Sequence, residues 1–116
     1  MRLVNGTTPL EGRVEVFYND QWGTVCAQGA NYYDARVICW HLGYADALAV
    51  KKNSEFGEGT GPVWIKPSCY GDETSLLQCR VATGLAKACE KNFGHTKDLG
   101  VVCTGIPYIQ TRNYTH

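Results

Sequence analysis

The chain has 116 residues, of which 44% are hydrophobic, so it is long enough for one domain with a modest core and too apolar to be disordered. Its 11 basic and 11 acidic residues balance, which argues against nucleic acid or an anionic membrane as a dedicated partner. No apolar run reaches membrane-spanning length and no signal peptide opens the chain. We therefore expect a domain excised from a longer protein, without insertion of this domain into a membrane.

A β-hairpin over residues 11–26 is the main element that the sequence predicts. Val14, Val16 and Tyr18 alternate with their neighbours, which is the period-two pattern of a half-buried strand. The Asn-Asp pair at 19–20 favours a turn, because both side chains bond to nearby backbone and tolerate left-handed geometry. The chain then returns as a second β-rich strand that ends at a cysteine.

The next predicted element is a helix of about three turns. Asn31 stands where an N-cap is expected, and Asp34 follows three residues later, where a negative charge favours the positive helix end. Gly43 is a natural C-terminal stop. The i, i+3, i+4, i+7 rule predicts a buried face formed by Ala35, Ile38, Cys39 and Leu42.

The other predicted elements are shorter. They comprise strands at residues 3–4, 45–52, 62–65 and 99–103, a glycine-rich loop at 53–61, a tight turn at 69–73, and one or two helical turns at 74–78. Residues 80–97 show no clear period and carry three lysines, so we expect a long surface loop there. Residues 1–104 then form the domain, and the polar residues 105–116 form a C-terminal linker.

The cysteines indicate the compartment. Their number is even, their spacing is wide and no C-x-x-C pair occurs, so three disulfides in an oxidising compartment are favoured over a zinc site. Spacing alone does not choose among the connectivities. Glycosylation sequons at Asn5 and Asn113, near the two ends, agree with this interpretation. The cysteines are Cys26, Cys39, Cys69, Cys79, Cys89 and Cys103.

The spacing of these motifs resembles the scavenger receptor cysteine-rich domain, in the group with six cysteines. The resemblance runs in register from residue 2 to residue 103. It is carried by RLV at 2–4, EGRVEV at 11–16, QWGTVC at 21–26, DA ahead of VIC at 34–39, LG at 42–43, FG at 56–57, GPVW at 61–64, Cys69 with Gly71 and Glu73, SL at 75–76, Cys79, and GVVC at 100–103.

The resemblance implies a curved antiparallel β-sheet that cradles one main α-helix, which agrees with the elements predicted above. Together they predict an α+β fold with a short second helix and long loops. It also implies three disulfides, which would join Cys26 to Cys89, Cys39 to Cys103, and Cys69 to Cys79. Many members bind a calcium-type cation between two consecutive acids that follow the first cysteine and a glutamate in the turn of the third.

Only part of that implied cation site is present in this sequence. Glu73 stands at the glutamate position with Asp72 beside it, but the two consecutive acids are replaced by Ala27 and Gln28. Hard divalent cations need several oxygen ligands, preferably carboxylates. We therefore expect no cofactor and disfavour calcium. We prefer the interpretation that Asp72 and Glu73 belong to a solvated turn.

Two groups of residues are candidate ligand-binding surfaces. The first is a basic patch formed by Lys87, Lys91, Lys97 and Lys66, with Lys51 and Lys52 as further members, which could attract an acidic partner. The second is a helix face that aligns Tyr33, Arg36 and Trp40, a composition typical of interface hot spots. The alternatives are an ordinary solvated loop for the lysines, and for Trp40 a position folded over a neighbouring strand or loop.

Catalysis has little support in the sequence. The histidines are His41, His95 and His116, and cysteines held in disulfides leave no thiolate nucleophile. His95 with Asp98 could form a dyad, but no activated-serine motif accompanies it. A hydrogen-bonded surface histidine is the favoured interpretation.

These observations predict a non-catalytic extracellular module of a larger receptor or secreted protein, which recognises a protein or polyanionic ligand through loops and one helix face. Two alternatives stay open. The chain could be a non-catalytic accessory to an extracellular protease or lysyl oxidase in the same polypeptide, or it could be a structural spacer between domains.

Overall fold

A computed structural model describes residues 1–105 of the chain. Sequon residue Asn113, His116 and all but the first residue of the predicted linker lie outside this range. The strands are β1 (Arg2–Asn5), β2 (Glu11–Tyr18), β3 (Gln21–Val25), β4 (Asp46–Lys51), β5 (Val63–Ile65), β6 (Pro67–Ser68), β7 (Arg80–Val81) and β8 (Gly100–Thr104). The helices are α1 (Tyr32–His41) and α2 (Thr83–Phe93), with a 3₁₀ turn at Leu76–Gln78.

Six strands form one curled sheet in the order β4-β8-β2-β3-β5, with β1 paired to β2, and β6 and β7 form a separate ribbon. All pairs are antiparallel except β3 with β5, which is parallel. The β2–β3 hairpin turns at Asn19 and Asp20, whose φ angles are 51° and 59°. Positive φ at both central residues matches the twist of a hairpin, which explains why this Asn-Asp pair closes it.

The predicted alternation along β2 is only partly right. Val14 is fully buried, but Tyr18 at the end of the strand is 55% exposed. Glu15, which the alternation places on the opposite face, is only 6% exposed. Its carboxylate lies 2.8 Å from the Arg2 guanidinium and 3.1 Å from that of Arg13, so two positive charges compensate its burial.

Helix α1 begins as the sequence predicts and is anchored more firmly than predicted. The Asn31 side chain accepts hydrogen bonds from the amides of residues 33 and 34, and the Asp34 carboxylate accepts one from the Asn31 amide at 2.9 Å, which completes a capping box. The second oxygen of the buried Asp34 accepts the Cys69 amide at 2.8 Å. Desolvation raises the pKa of this carboxyl group, although the two amides oppose the shift. Asp34 therefore ties the helix to the turn at residue 69.

Helix α1 packs against the inner face of the sheet to form the core. Most of its predicted inner face is fully buried, and Leu42 packs against the core while partly exposed. Gly43 follows the helix with a φ of 92°, the left-handed conformation expected of a glycine stop. Core residues from both layers include Val14, Val25, Ala35, Val37, Ile38, Leu99 and Val101.

The prediction of a surface loop at residues 80–97 is wrong, because most of this segment forms β7 and α2. Ala86, Cys89 and Phe93, at i, i+3 and i+7, supply a narrow apolar stripe that packs with Cys26 and Val63. Exposed lysines and glycine dilute this stripe, and no side chain caps the helix N-terminus. The helical signal was therefore weak in the sequence.

Three disulfides crosslink these elements in the pairing that the resemblance implies: Cys26–Cys89, Cys39–Cys103 and Cys69–Cys79. The first ties α2 to the end of β3, and the second ties α1 to β8. Both helices are thus fixed to the sheet covalently as well as by packing. No helix within residues 1–105 has the length and apolar character needed to cross a bilayer.

Candidate ligand-binding surface

The residues considered for a cation do not provide the donors that a hard ion needs. Both oxygens of Glu73 accept backbone amides, from Tyr70 at 3.0 Å and Gly71 at 2.8 Å. The hydrogen bond from the Tyr70 amide lowers the pKa of Glu73 most, and the one from the Gly71 amide lowers it further. Ala27 is fully buried and has no ligand atom, while Asp72 is exposed. Glu73 therefore holds its own turn by accepting two backbone amides.

Within residues 1–105, one group of side chains brings three metal-type ligand atoms together, namely Cys69, Glu73 and Cys79. Both of its sulfur atoms belong to one disulfide, so neither is a thiolate that could bind a metal. The implied calcium site therefore does not fit the residues that are present.

The structure divides the predicted basic patch among several places. Lys97 and Lys52 line a cavity of about 320 Å³, whose other walls are Ala27, Gln28, Gly29, Asn53 and Phe93. We call this cavity the lysine pocket. The Lys97 ammonium donates to the Asn53 side-chain oxygen at 2.7 Å and lies 5.9 Å from the centre of the Phe93 ring.

The remaining lysines do not line this pocket. Lys66 lines another cavity, of about 440 Å³, together with Arg80 and Leu85. The Lys66 ammonium is close to the loop at Gly29, since a Cβ atom built on that glycine would stand 3.3 Å from Nζ. Lys87 lines a different cavity of about 290 Å³, with Tyr18, Trp64 and Glu90. Lys91 is exposed in the last turn of α2.

None of these lysines forms an ion pair with a carboxylate in the part of the chain that the structure describes. The ion pairs found there are Arg2–Glu15, Arg13–Glu15 and His95–Asp98. No carboxylate therefore lies within ion-pair distance of these lysines in residues 1–105, although the Lys66 charge acts on the buried Asp34 carboxylate and opposes the rise in its pKa.

Part of the predicted helix-face surface is already engaged in contacts within the chain. The Trp40 indole donates to the Ala45 carbonyl at 2.7 Å and carries the Arg36 guanidinium 4.2 Å above its ring. The Trp40 indole is therefore tied to the loop that follows α1 while it remains partly exposed. Tyr33 remains 48% exposed, with its ring beside Gly71 and Tyr32.

His95 and Asp98 form a structural clamp. His95 Nδ1 lies 3.0 Å from the buried Asp98 carboxylate, and His95 Nε2 lies 2.9 Å from the Gly61 carbonyl oxygen. Asp98 also accepts the Gly59 amide at 2.7 Å. These contacts fasten the glycine-rich loop to the segment that leads into β8. The Ser54 hydroxyl joins them through the backbone, donating to the His95 carbonyl and accepting the Asp98 amide at 2.9 Å, and Thr24 Oγ1 lies 3.3 Å from His95 Nδ1. His41 lies 3.1 Å from Ser75 Oγ, and burial lowers its pKa.

One surface feature was not predicted. An apolar cavity of about 460 Å³ opens between the hairpin and the ribbon, where Tyr18, Trp64 and Val81 meet the strongly exposed Leu77. These residues are distant in sequence and none stands out by motif. Only evidence of long-range contacts between these residues could have predicted this cavity before the fold was known.

A curled, mainly antiparallel sheet that holds one main helix and is crosslinked by three disulfides defines a class of small α+β domains. The chain belongs to the scavenger receptor cysteine-rich domain family, whose model matches residues 4–104. The match spans all six cysteines and the whole sheet except the first residues of β1.

Relatives and solved structures agree with this assignment. The chain is 43% identical over 105 residues to "Macrophage scavenger receptor types I and II" of Bos taurus, and 46% identical over 105 residues to "Galectin-3-binding protein" of Mus musculus. Each match covers 90% of this chain but only 22% and 18% of the relative, so the chain spans about a fifth of these proteins. The third domain of this family in murine neurotrypsin superposes with a TM-score of 0.74 at 39% identity, covering 90% of this chain and 95% of that one.

A second solved structure extends the comparison. The dimeric form of the corresponding domain of mouse MARCO matches with a TM-score of 0.69 at 34% identity, over 90% of this chain and 94% of that one. By their names, these relatives include a receptor and a binding protein. Such homologues are consistent with a non-catalytic module for protein interaction.

Proposed function

We propose that this chain is a non-catalytic binding module of a larger extracellular receptor or secreted protein, and that it recognises polyanions or acidic protein surfaces through its lysines. The observation that carries this proposal is the set of lysines without a carboxylate partner in residues 1–105, on α2 and the loops beside it. The relatives named as a receptor and a binding protein support it.

The charge distribution explains how a chain with no net charge could bind an anion. Arg2 and Arg13 form ion pairs with Glu15, whereas Lys52, Lys91 and Lys97 form none within the described residues. A local surplus of positive charge steers and holds an anionic ligand even when the whole molecule is neutral. Disulfides support an extracellular location, since they persist in oxidising compartments. Residues 105–116 would then serve as the linker to the rest of the protein.

Surface plasmon resonance on immobilised heparin tests this proposal. A triple variant, Lys87→Met, Lys91→Met and Lys97→Met, should bind about tenfold more weakly, because three exposed ion pairs of roughly 0.5 kcal/mol each sum to about 1.5 kcal/mol. A control variant loses the same net charge on other surfaces by Leu48→Asp, Tyr70→Asp and Leu77→Asp, at side chains that are 68%, 80% and 89% exposed. Equal binding of both variants and the unmodified chain would contradict a role for the lysines.

A further inference from the structure

The helix-face surface, formed by Tyr33, Arg36 and Trp40, holds an unpaired donor. Nε of Arg36 is the one buried side-chain nitrogen or oxygen atom in residues 1–105 that has no hydrogen-bond partner. Arg36 also forms no ion pair within this part of the chain. A buried donor without a partner costs free energy, so such a group in a folded protein requires an explanation. Because no acceptor in the described residues reaches this nitrogen, it is available to a group on another molecule.

Aromatic rings share this surface with the guanidinium. The Arg36 guanidinium lies 4.2 Å from the centre of the Trp40 ring. The neighbouring rings of Tyr32 and Tyr33 have centres 5.7 Å apart and are 40% and 48% exposed. Tyr70, in the turn against which Tyr33 packs, is 80% exposed. Arginine, tryptophan and tyrosine are the residue types that contribute most of the binding energy at protein interfaces.

Contacts within the chain fix these rings before any partner binds. The Trp40 indole donates to a backbone carbonyl of the following loop at 2.7 Å, and the Tyr32 hydroxyl donates to the Asp46 carboxylate. The Tyr33 ring lies so close to Gly71 that a Cβ atom on this glycine would stand 2.4 Å from it. Side chains that are already ordered lose little conformational entropy on binding, which favours affinity.

The charges on this surface favour a single carboxylate over a dense polyanion. The fork of an arginine matches the two oxygens of a planar carboxylate, and α1 contains no lysine. Asp46 is close enough for charge interaction: the hydrogen bond from Tyr32 lowers its pKa most, and the Arg36 charge lowers it further. The negative charge of Asp46 would repel a continuous row of anionic groups.

We propose that the helix-face surface is a second binding surface, which takes a protein segment whose glutamate or aspartate side chain adjoins apolar side chains. The guanidinium is held by stacking on Trp40, so it can turn on the ring and offer Nε and one Nη to the carboxylate. The apolar side chains of the segment cover Tyr33 and Trp40. This goes beyond the proposed function, because no lysine takes part.

Selection of a phage-displayed library of random short peptides on the full chain tests this proposal, with excess heparin present to occupy the lysines. The recovered peptides should carry an acidic residue beside apolar ones. Calorimetry with their synthetic forms should show about tenfold weaker binding to Arg36→Met, because a charged hydrogen bond is lost. Arg36→Lys should also weaken binding, because an ammonium keeps the charge but cannot bridge two oxygens.

Two controls show whether the effect is specific to this surface. Arg80→Met removes an equal charge from an exposed residue of β7 and should change the affinity by less than about twofold. Replacing the acidic residue of the peptide by its amide should weaken binding to the unmodified chain but not to Arg36→Met, since interacting groups are not additive. Unchanged amide spectra outside α1 would show that the variants are folded.

Several results would overturn the proposal. They are a selection that recovers no peptide, peptides that bind Arg36→Met as tightly as the unmodified chain, and peptides without an acidic residue. Amide shifts at α1 on concentrating the chain alone would assign the surface to a second copy. NMR contacts between residues 106–116 and Trp40 would assign it to the chain's own C-terminal segment. A failure of heparin to bind would defeat the proposed function alone, because this selection does not depend on the lysines.

Discussion

Replacing Cys26 and Cys89 together by alanine should remove a large share of the stability of this domain. The disulfide between them closes a loop with a sequence separation of 63 residues, and the Cys69–Cys79 disulfide closes one of 10. In the chain-entropy model these loops correspond to about 4 and about 3 kcal/mol of the free energy of unfolding. A domain of this size has a total of roughly 5–15 kcal/mol, so either loss is substantial.

The loss at Cys26–Cys89 should be concentrated in α2. Beyond this bond, the helix is held by a small apolar cluster that contains Ala86 and Val63, and by the Val63 amide donating to Glu90 at 2.9 Å. Few buried contacts mean a low free energy of local opening. The amides of α2 should therefore exchange with solvent much faster in the variant, while those of α1 keep more of their protection.

Urea unfolding followed by circular dichroism measures the global effect, and hydrogen exchange measures the local one. The matched control is the Cys69→Ala and Cys79→Ala pair, which should lose about 1 kcal/mol less and leave α2 protected. The account would be refuted if the Cys26–Cys89 variant unfolded at the same urea concentration as the unmodified chain. Equal loss of protection across all helices would refute the local part alone.

Three further predictions follow from single side chains. Asn31→Ala removes the cap of α1 and should cost about 1 kcal/mol, measured by thermal unfolding, whereas an unchanged midpoint would contradict the capping role. Glu15→Gln leaves the Arg13 guanidinium without its carboxylate and should cost about 2 kcal/mol in urea unfolding; a neutral effect would show that this buried charge is dispensable. The pKa of Glu73 is lowered in the folded state, so its stabilising contribution is complete above its unfolded pKa and is lost as pH falls through the folded one. Glu73→Gln should therefore flatten the acid side of the stability–pH curve, and a curve of unchanged slope would contradict this.

Local signals explain why the hairpin and α1 could be predicted from the sequence. A turn of Asn19 and Asp20, an N-cap at Asn31 and a glycine stop at Gly43 each act within a few residues, so their evidence is contained in a short window. The disulfide pairing, by contrast, came only from the family resemblance, because cysteine spacing does not determine connectivity.

Features that depend on distant residues could not be predicted in this way. Glu15 is buried because Arg2, 13 residues earlier, lies on the paired strand. Lys97 and Asn53 meet across 44 residues to form one wall of the lysine pocket. The sequence predicts a single lysine patch, but position along the chain alone could not show that Lys87 belongs to a different cavity.

The cation dependence of heparin binding tests the central claim most directly. The proposed site uses lysine charges, and the implied cation site lacks its acids at Ala27 and Gln28. Heparin affinity should be measured by calorimetry in calcium and again in excess EDTA at matched ionic strength. We predict the same dissociation constant in both. Loss of binding in EDTA that is restored by added calcium would contradict the account.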